Sequence, residues 1–323
     1  MENLELFGDA GTPRERLAAR LRELAAQGIY LGTSSWKYEG WMGQIYTRER
    51  YMTRGRFSQK KFEAECLAEY GEVFPAVGGD FSFYQFPSRQ YWQRLFAAAP
   101  PQLKCGLKVP EEITVKEWPG HARYGGRAGK ANEHYLDAEL FRRAFLEPLE
   151  PYGERIGVLM FEFGTMGKRL YEGVAPFAAD LRAFLAALPE GWRYAVEVRN
   201  KEYFDEPYFD ALREHAAAHV FNAWTRMPPL EEQVRIEAAY TADFLAARAL
   251  LRHGRSYEQA VARFEPYDRV QEVNEGARSA LRALIERARQ RRQMAFLFVN
   301  NRLEGNAPAT IQAVVEEGGA SSQ

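Results

Sequence analysis

Cysteine and histidine are scarce in this chain, neither sign of charge dominates, and no apolar run is long enough to span a bilayer; each absence removes a class of protein. Two cysteines, Cys66 and Cys105, cannot supply a disulfide framework. Both fall at apolar-face positions, one in a helical and one in a β pattern, and read as small buried hydrophobes. The five histidines (His121, His134, His215, His219 and His253) avoid the expected strand ends, which argues against a multinuclear zinc barrel. Magnesium held by Glu162, Glu197 or Asp80 stays open. With 43 basic and 44 acidic residues the net charge is −1, so nucleic-acid binding would have to rest on a local patch. The lack of a leading apolar segment predicts a soluble, cytoplasmic protein with no membrane partner. No low-complexity linker interrupts the 323 residues, which read as an extension over 1–28 followed by one domain over 29–323. Within the extension, residues 14–27 form a helical pattern suited to plugging or bracing the bottom of a barrel.

What is present is a repeated alternation of β-rich and helical segments. Strands are expected near 29–34, 80–84, 104–109, 156–163, 194–199, 219–224, 243–250 and 295–301, with helical periodicity between them, as at 62–70, 177–188 and 277–287. Eight such units imply parallel strands joined by right-handed crossovers and fit a closed TIM-type (β/α)8 barrel; an open doubly wound sheet is the fallback. The run Tyr194-Ala195-Val196-Glu197-Val198-Arg199 carries the most chemistry. Side chains alternate across a strand, so Glu197 and Arg199 share a face with Ala195, while Tyr194, Val196 and Val198 form the apolar face. A buried strand keeps charges where they are paired, hydrogen-bonded or used on a ligand.

Other strand ends are polar too: Ser34 after Thr33, Tyr84, Lys108, Glu162, Asn222, Arg248, and Asn300 with Asn301. In barrels the site lies at the carboxyl ends of the strands, so this ring is the candidate site. Lys108, Arg199 and Arg248 suit a phosphate or carboxylate. Glu162 and Glu197, on adjacent strands, are the expected acid and base of an enzyme acting on a small anionic molecule. Trp36, Tyr38, Trp41 and Trp224 could stack a ring, or form a hydrophobic cover. Two further readings stand beside this one: a glycoside hydrolase using Glu162 and Glu197, and a non-catalytic nucleic-acid or ligand-binding module. The competing structural reading is an ion-pair lattice that merely fills the barrel mouth. The connection over 111–135, with Arg123, Arg127 and Lys130 among glycines, suits closure over an anion or a solvated excursion. Asn306 should cap a helix that begins near Pro308.

The segment Gly32-Thr33-Ser34-Ser35-Trp36-Lys37-Tyr38-Glu39-Gly40-Trp41 with Ile45-Tyr46 resembles the opening motif of the YecE-like family, domain of unknown function 72. Phe83-Tyr84 with Pro87, Leu107-Lys108-Val109-Pro110 with Ile113-Thr114, Ala195 to Arg199, and Val299-Asn300-Asn301 with Asn306-Ala307 follow in the family's order. The resemblance implies a TIM-type barrel over about residues 29–315 and supplies no reaction. Departures mark a distinct branch. Gly78 and Asp80 stand where the family has Glu and Asn, Glu162 replaces a Gln, Gly164-Thr165 replace prolines, and Asn200 replaces a His. For the family's Arg-x-His-Gly arginine, Arg248 is favoured over Arg252 of Arg252-His253-Gly254.

Overall fold

The structure, a computed structural model, describes residues 11–317. Eight strands close into a parallel barrel: β1 (Ile29–Thr33), β2 (Ala76–Gly79), β3 (Lys104–Lys108), β4 (Ile156–Phe163), β5 (Tyr194–Val198), β6 (Ala218–Ala223), β7 (Phe244–Ala249) and β8 (Met294–Val299). Each strand pairs with its neighbour in sequence, and β8 returns to β1 with Ile29 opposite Ala295 and Thr33 opposite Val299. The expected (β/α)8 architecture is present, and the open sheet is not.

Alternation along the strands divides the apolar residues into two layers. Ala195, Ala218, Val220, Phe244, Ala246, Phe296 and Phe298 pack with one another inside the barrel. Tyr194, Val196 and Val198 belong to the larger outer core between sheet and helices. Phe298 occupies so much of the interior that β-carbons on the facing strands have no room: one added at Gly106 would lie 2.4 Å from its ring, and one at Gly78 3.2 Å. This crowding explains one correction. The second strand is Ala76–Gly79, upstream of the expected 80–84. Its Ala-Val-Gly-Gly sequence lacks the bulky residues that signal a strand: Gly78 makes way for Phe298, and Gly79 for Phe81 in the loop that follows. Residues 80–84, whose alternating aromatics imitate a strand, form the loop that follows.

Around the barrel lie α1 (Pro13–Ala26), α2 (Gln59–Val73), α3 (Arg89–Ala98), α4 (Val174–Ala186), α5 (Glu206–Glu214), α6 (Tyr257–Phe264), α7 (Glu275–Arg291) and α8 (Ala307–Glu317), with shorter helical turns between them. Thr12 and Glu15 make a capping box at the start of α1, whose Leu17, Leu21 and Leu24 are buried against β1, α2 and α8. The helix therefore braces the outside of the barrel; it does not plug the interior. As expected, Asn306 caps α8, its Oδ1 accepting from Ala309 N at 2.8 Å. Cys66 and Cys105 are free and buried, and burial pushes both thiols up to about 12. Both arginines of the 111–135 connection are engaged by its own acids: Arg123 pairs with Glu111 at 3.1 Å, and Arg127 with Glu112 at 3.0 Å. Among the described residues, no helix is long and apolar enough to cross a membrane.

Candidate active site

The inner face of β5 carries Ala195 and then Glu197, and Arg199 continues on that side just past the strand end. The ladders set Glu162 opposite Glu197 and Asn222 opposite Arg248, so one polar layer caps the apolar filling beneath. Three cations converge on a single oxygen in this layer. Glu162 Oε2 lies 2.9 Å from Lys108 Nζ, 2.8 Å from Arg199 Nη2 and 2.7 Å from Arg248 Nη1. Arg248 Nη1 also donates to Glu197 Oε2 at 2.5 Å, while its Nη2 donates to Asp80 Oδ1 at 2.9 Å. Arg199 Nε donates to Glu197 Oε1 at 3.3 Å, and Lys108 Nζ lies 3.6 Å from Asp80 Oδ1. Two aromatic faces complete the arrangement: Lys108 Nζ sits 3.5 Å from the Phe83 ring centre, and the Arg199 guanidinium 3.7 Å from that of Trp224.

Three cations face three carboxylates, which is what burial demands, since an unpaired ion at this depth costs several kcal/mol on the order given by solvation estimates. Burial alone would raise the Glu162 carboxyl; Arg199, Lys108 and Arg248 overcome it and hold the group well below the usual carboxylate range. Burial likewise opposes the charge on Arg248, and Glu197, Asp80 and Glu162 outweigh it to keep the guanidinium protonated. Access differs sharply among the six. The Glu197 side chain is 0 % exposed and that of Asp80 45 %, with Arg199 between them.

The geometry alters the roles expected of the carboxylates. Its three cations favour the ionised form of Glu162. A glycosidase needs its carboxyl pair to flank a sugar carbon; here the Arg248 guanidinium lies between Glu162 and Glu197 instead. Among the described residues, no group of three or more His, Cys, Asp or Glu is disposed to hold a metal ion.

The family model described as "Protein of unknown function DUF72" matches residues 30–323. The chain belongs to the DUF72 family. The YecE-like resemblance is the same family. Two DUF72 crystal structures share the fold. One, from Thermotoga maritima, is 21% identical with a TM-score of 0.56, covering 90% of this chain and 98% of its own. The other, from Enterococcus faecalis, is 16% identical with a TM-score of 0.56, covering 89% and 95%. No curated protein matches the chain.

Of the ring expected for this DUF72 chain, Lys108, Glu162, Glu197, Arg199 and Arg248 come together, with Asn222 and Trp224 beside them. Arg248, favoured over Arg252, is the arginine at the centre, whereas Arg252 pairs with Glu272. Asn222 is fully buried; its Nδ2 donates to Val198 O at 3.2 Å, and its Oδ1 has no partner in the protein. Ser34 is also buried with an unpartnered Oγ. Other members serve the fold. Trp41 is completely buried against Tyr38 and Tyr46 and acts as cover, not as a stacking surface. Trp36 is buried edge-on to Phe81, and Tyr38 packs on Tyr267. Asn301 Oδ1 accepts from Ala307 N at the start of α8, and Asn300 Oδ1 from Arg302 N. Tyr84 is 60% exposed beside Arg123, because the strand that should have aimed it inward ends at Gly79. The same shift kept Phe83 out of the expected ring and Asp80 in view only as a possible magnesium ligand. An acid directly after a strand end was the available signal, and Asp80 was placed at the start of a strand instead.

Proposed function

We propose that the barrel mouth is the active centre of an enzyme acting on a small molecule that bears a phosphate or carboxylate. The observation that carries this reading is the meeting of Lys108, Arg199 and Arg248, from three different strands or strand ends, on one buried oxygen. Preorganised donors of this kind stabilise negative charge on a substrate without reorganising. In this reading Arg199, still partly exposed on Trp224, meets the substrate anion first, with the buried Lys108 behind it. Glu162, Glu197 and Arg248 then form the frame that aims them.

The sequence pattern points to Glu197 and Glu162 for proton transfer. Glu197 is sealed from solvent with both oxygens engaged, so we assign this task to Asp80, whose side chain reaches the opening. The test is a thermal-shift panel of phosphoesters, carboxylates and neutral sugars, followed by turnover assays on whatever binds. A bound ligand at a hundredfold excess over its Kd should stabilise the fold by about 2.7 kcal/mol. Anions should stabilise, Arg199→Met should abolish the response, and Asp80→Asn should bind without turnover. Stabilisation by neutral sugars but not by anions would refute the reading; anion binding without any turnover would favour the binding module.

A further inference from the structure

A second convergence of cations lies on the same rim, in the loop after β7 and on α6. Arg252 Nη1 lies 3.0 Å from Glu272 Oε1, Arg255 Nη2 3.0 Å from Glu272 Oε2, and Arg263 Nε 2.9 Å from Glu272 Oε2. Among the described residues these arginines have no other ion pair. The neighbouring acid Asp268 pairs with Arg269 instead, and Glu258 and Glu265 pair with none of the three. Within the ion-paired cluster itself, three positive charges thus meet one negative charge, unlike the three against three of the mouth.

One arginine would satisfy Glu272; three set like charges against each other, and two of their nitrogens remain unmet. Arg252 Nε and Arg255 Nη1 are buried without a hydrogen-bond partner, a cost that proteins seldom leave standing. The three side chains, with His253 and Gln259, line a shallow cleft that lies open to solvent. Arg252 and His253 also line a smaller recess of about 120 Å³ that reaches Trp224, the residue carrying Arg199.

We infer that this cleft is a second anion site, which takes the phosphate or carboxylate group of a small molecule on the arginines that now share Glu272. Guanidinium groups offer an oxyanion paired N–H donors, and three of them around one carboxylate leave charge for a second anion to meet. Glu272 is the built-in competitor: an arriving anion takes over donors from its carboxylate.

The inference makes opposite predictions for two substitutions in the same cluster. Inorganic phosphate is titrated into the full chain at low ionic strength, with affinity read by calorimetry. Arg263→Gln should weaken binding about fivefold to tenfold, in line with loss of one charge-assisted contact. Glu272→Gln should tighten it by a similar factor, because the competitor is gone while all three arginines remain. A purely structural cluster would leave phosphate affinity unmoved in both variants, and that result overturns the inference. So does complete loss of phosphate binding in Arg199→Met with Arg263→Gln unaffected; that outcome puts the anion in the mouth and leaves the proposed function standing. Phosphate binding that persists in Arg199→Met and fails in Arg263→Gln supports the rim site, whatever the mouth does.

Discussion

The mouth and the rim of this barrel solve one electrostatic problem in two ways. In each, three cations grip one carboxylate, Glu162 inside and Glu272 outside. The mouth adds Asp80 and Glu197 and reaches neutrality, while the three rim arginines pair with one acid only. The difference follows depth. An excess charge inside is penalised by lost solvation, whereas a partly wetted cluster is screened and tolerates a surplus. A buried neutral lattice is thus suited to presenting its donors to a substrate anion in fixed positions, and a wetter, arginine-rich cluster to exchanging one anion for another.

The comparison breaks most visibly at its centre. Arg248→Met would strand Glu162 and Glu197 in the interior, and the expected loss is about 3–5 kcal/mol by urea denaturation. Adding Glu197→Gln should recover part of it; no recovery would mean that packing rather than charge is responsible. Next comes pH. The folded-state value of Glu162 is depressed, so the unfolded chain takes up its proton first as acidity rises. Its stabilisation is complete above the usual carboxylate value of about 4.3 and fades as the pH falls through and below it. The wild-type advantage over Glu162→Gln, about 2–3 kcal/mol near neutrality for hydrogen bonds to a charged group, should shrink along this acid limb. Glu272 is also lowered, as its three arginines outweigh a desolvation that opposes them, but it is wetter; Glu272→Gln should flatten the limb less. If the two variants flattened it equally, depth would not be the deciding variable.

Trp224 joins the two regions, and Trp224→Ala should cost about 1 kcal/mol through its contact with Arg199. A double-mutant cycle with Arg199→Met measures that coupling, and additivity of the two losses would place the stack outside the energetics. The smallest effect is expected at the rim itself. Arg263→Gln should change stability by no more than about 0.5 kcal/mol, and added salt should erase the difference. A larger, salt-resistant loss would make the rim a structural brace after all.

How much was legible follows from the range of each interaction. The inward aim of Glu197 beside Ala195 depends on the two-residue period of a strand, and that period is written in consecutive residues. The caps at Thr12 and Asn306 and the burial of both cysteines are local in the same sense. Strand β2 was missed because it carries small residues, Gly78 among them answering to Phe298, which lies far away in sequence. Asp80 meets Arg248 across 168 positions, and no periodicity reports such an encounter. The arginines at 252, 255 and 263 were visible as residues, yet their surplus becomes apparent only once Glu272 is seen to be their shared partner.

The sequence by itself determined an eight-unit parallel barrel and the polar character of its strand ends, because hydrophobic period and chain order are sufficient for both. The tertiary structure alone decided which charges neutralise one another, which carboxylate reaches the opening and where positive charge is left over. Those outcomes depend on distance and depth in space, and strand closure brings together residues that the chain keeps apart.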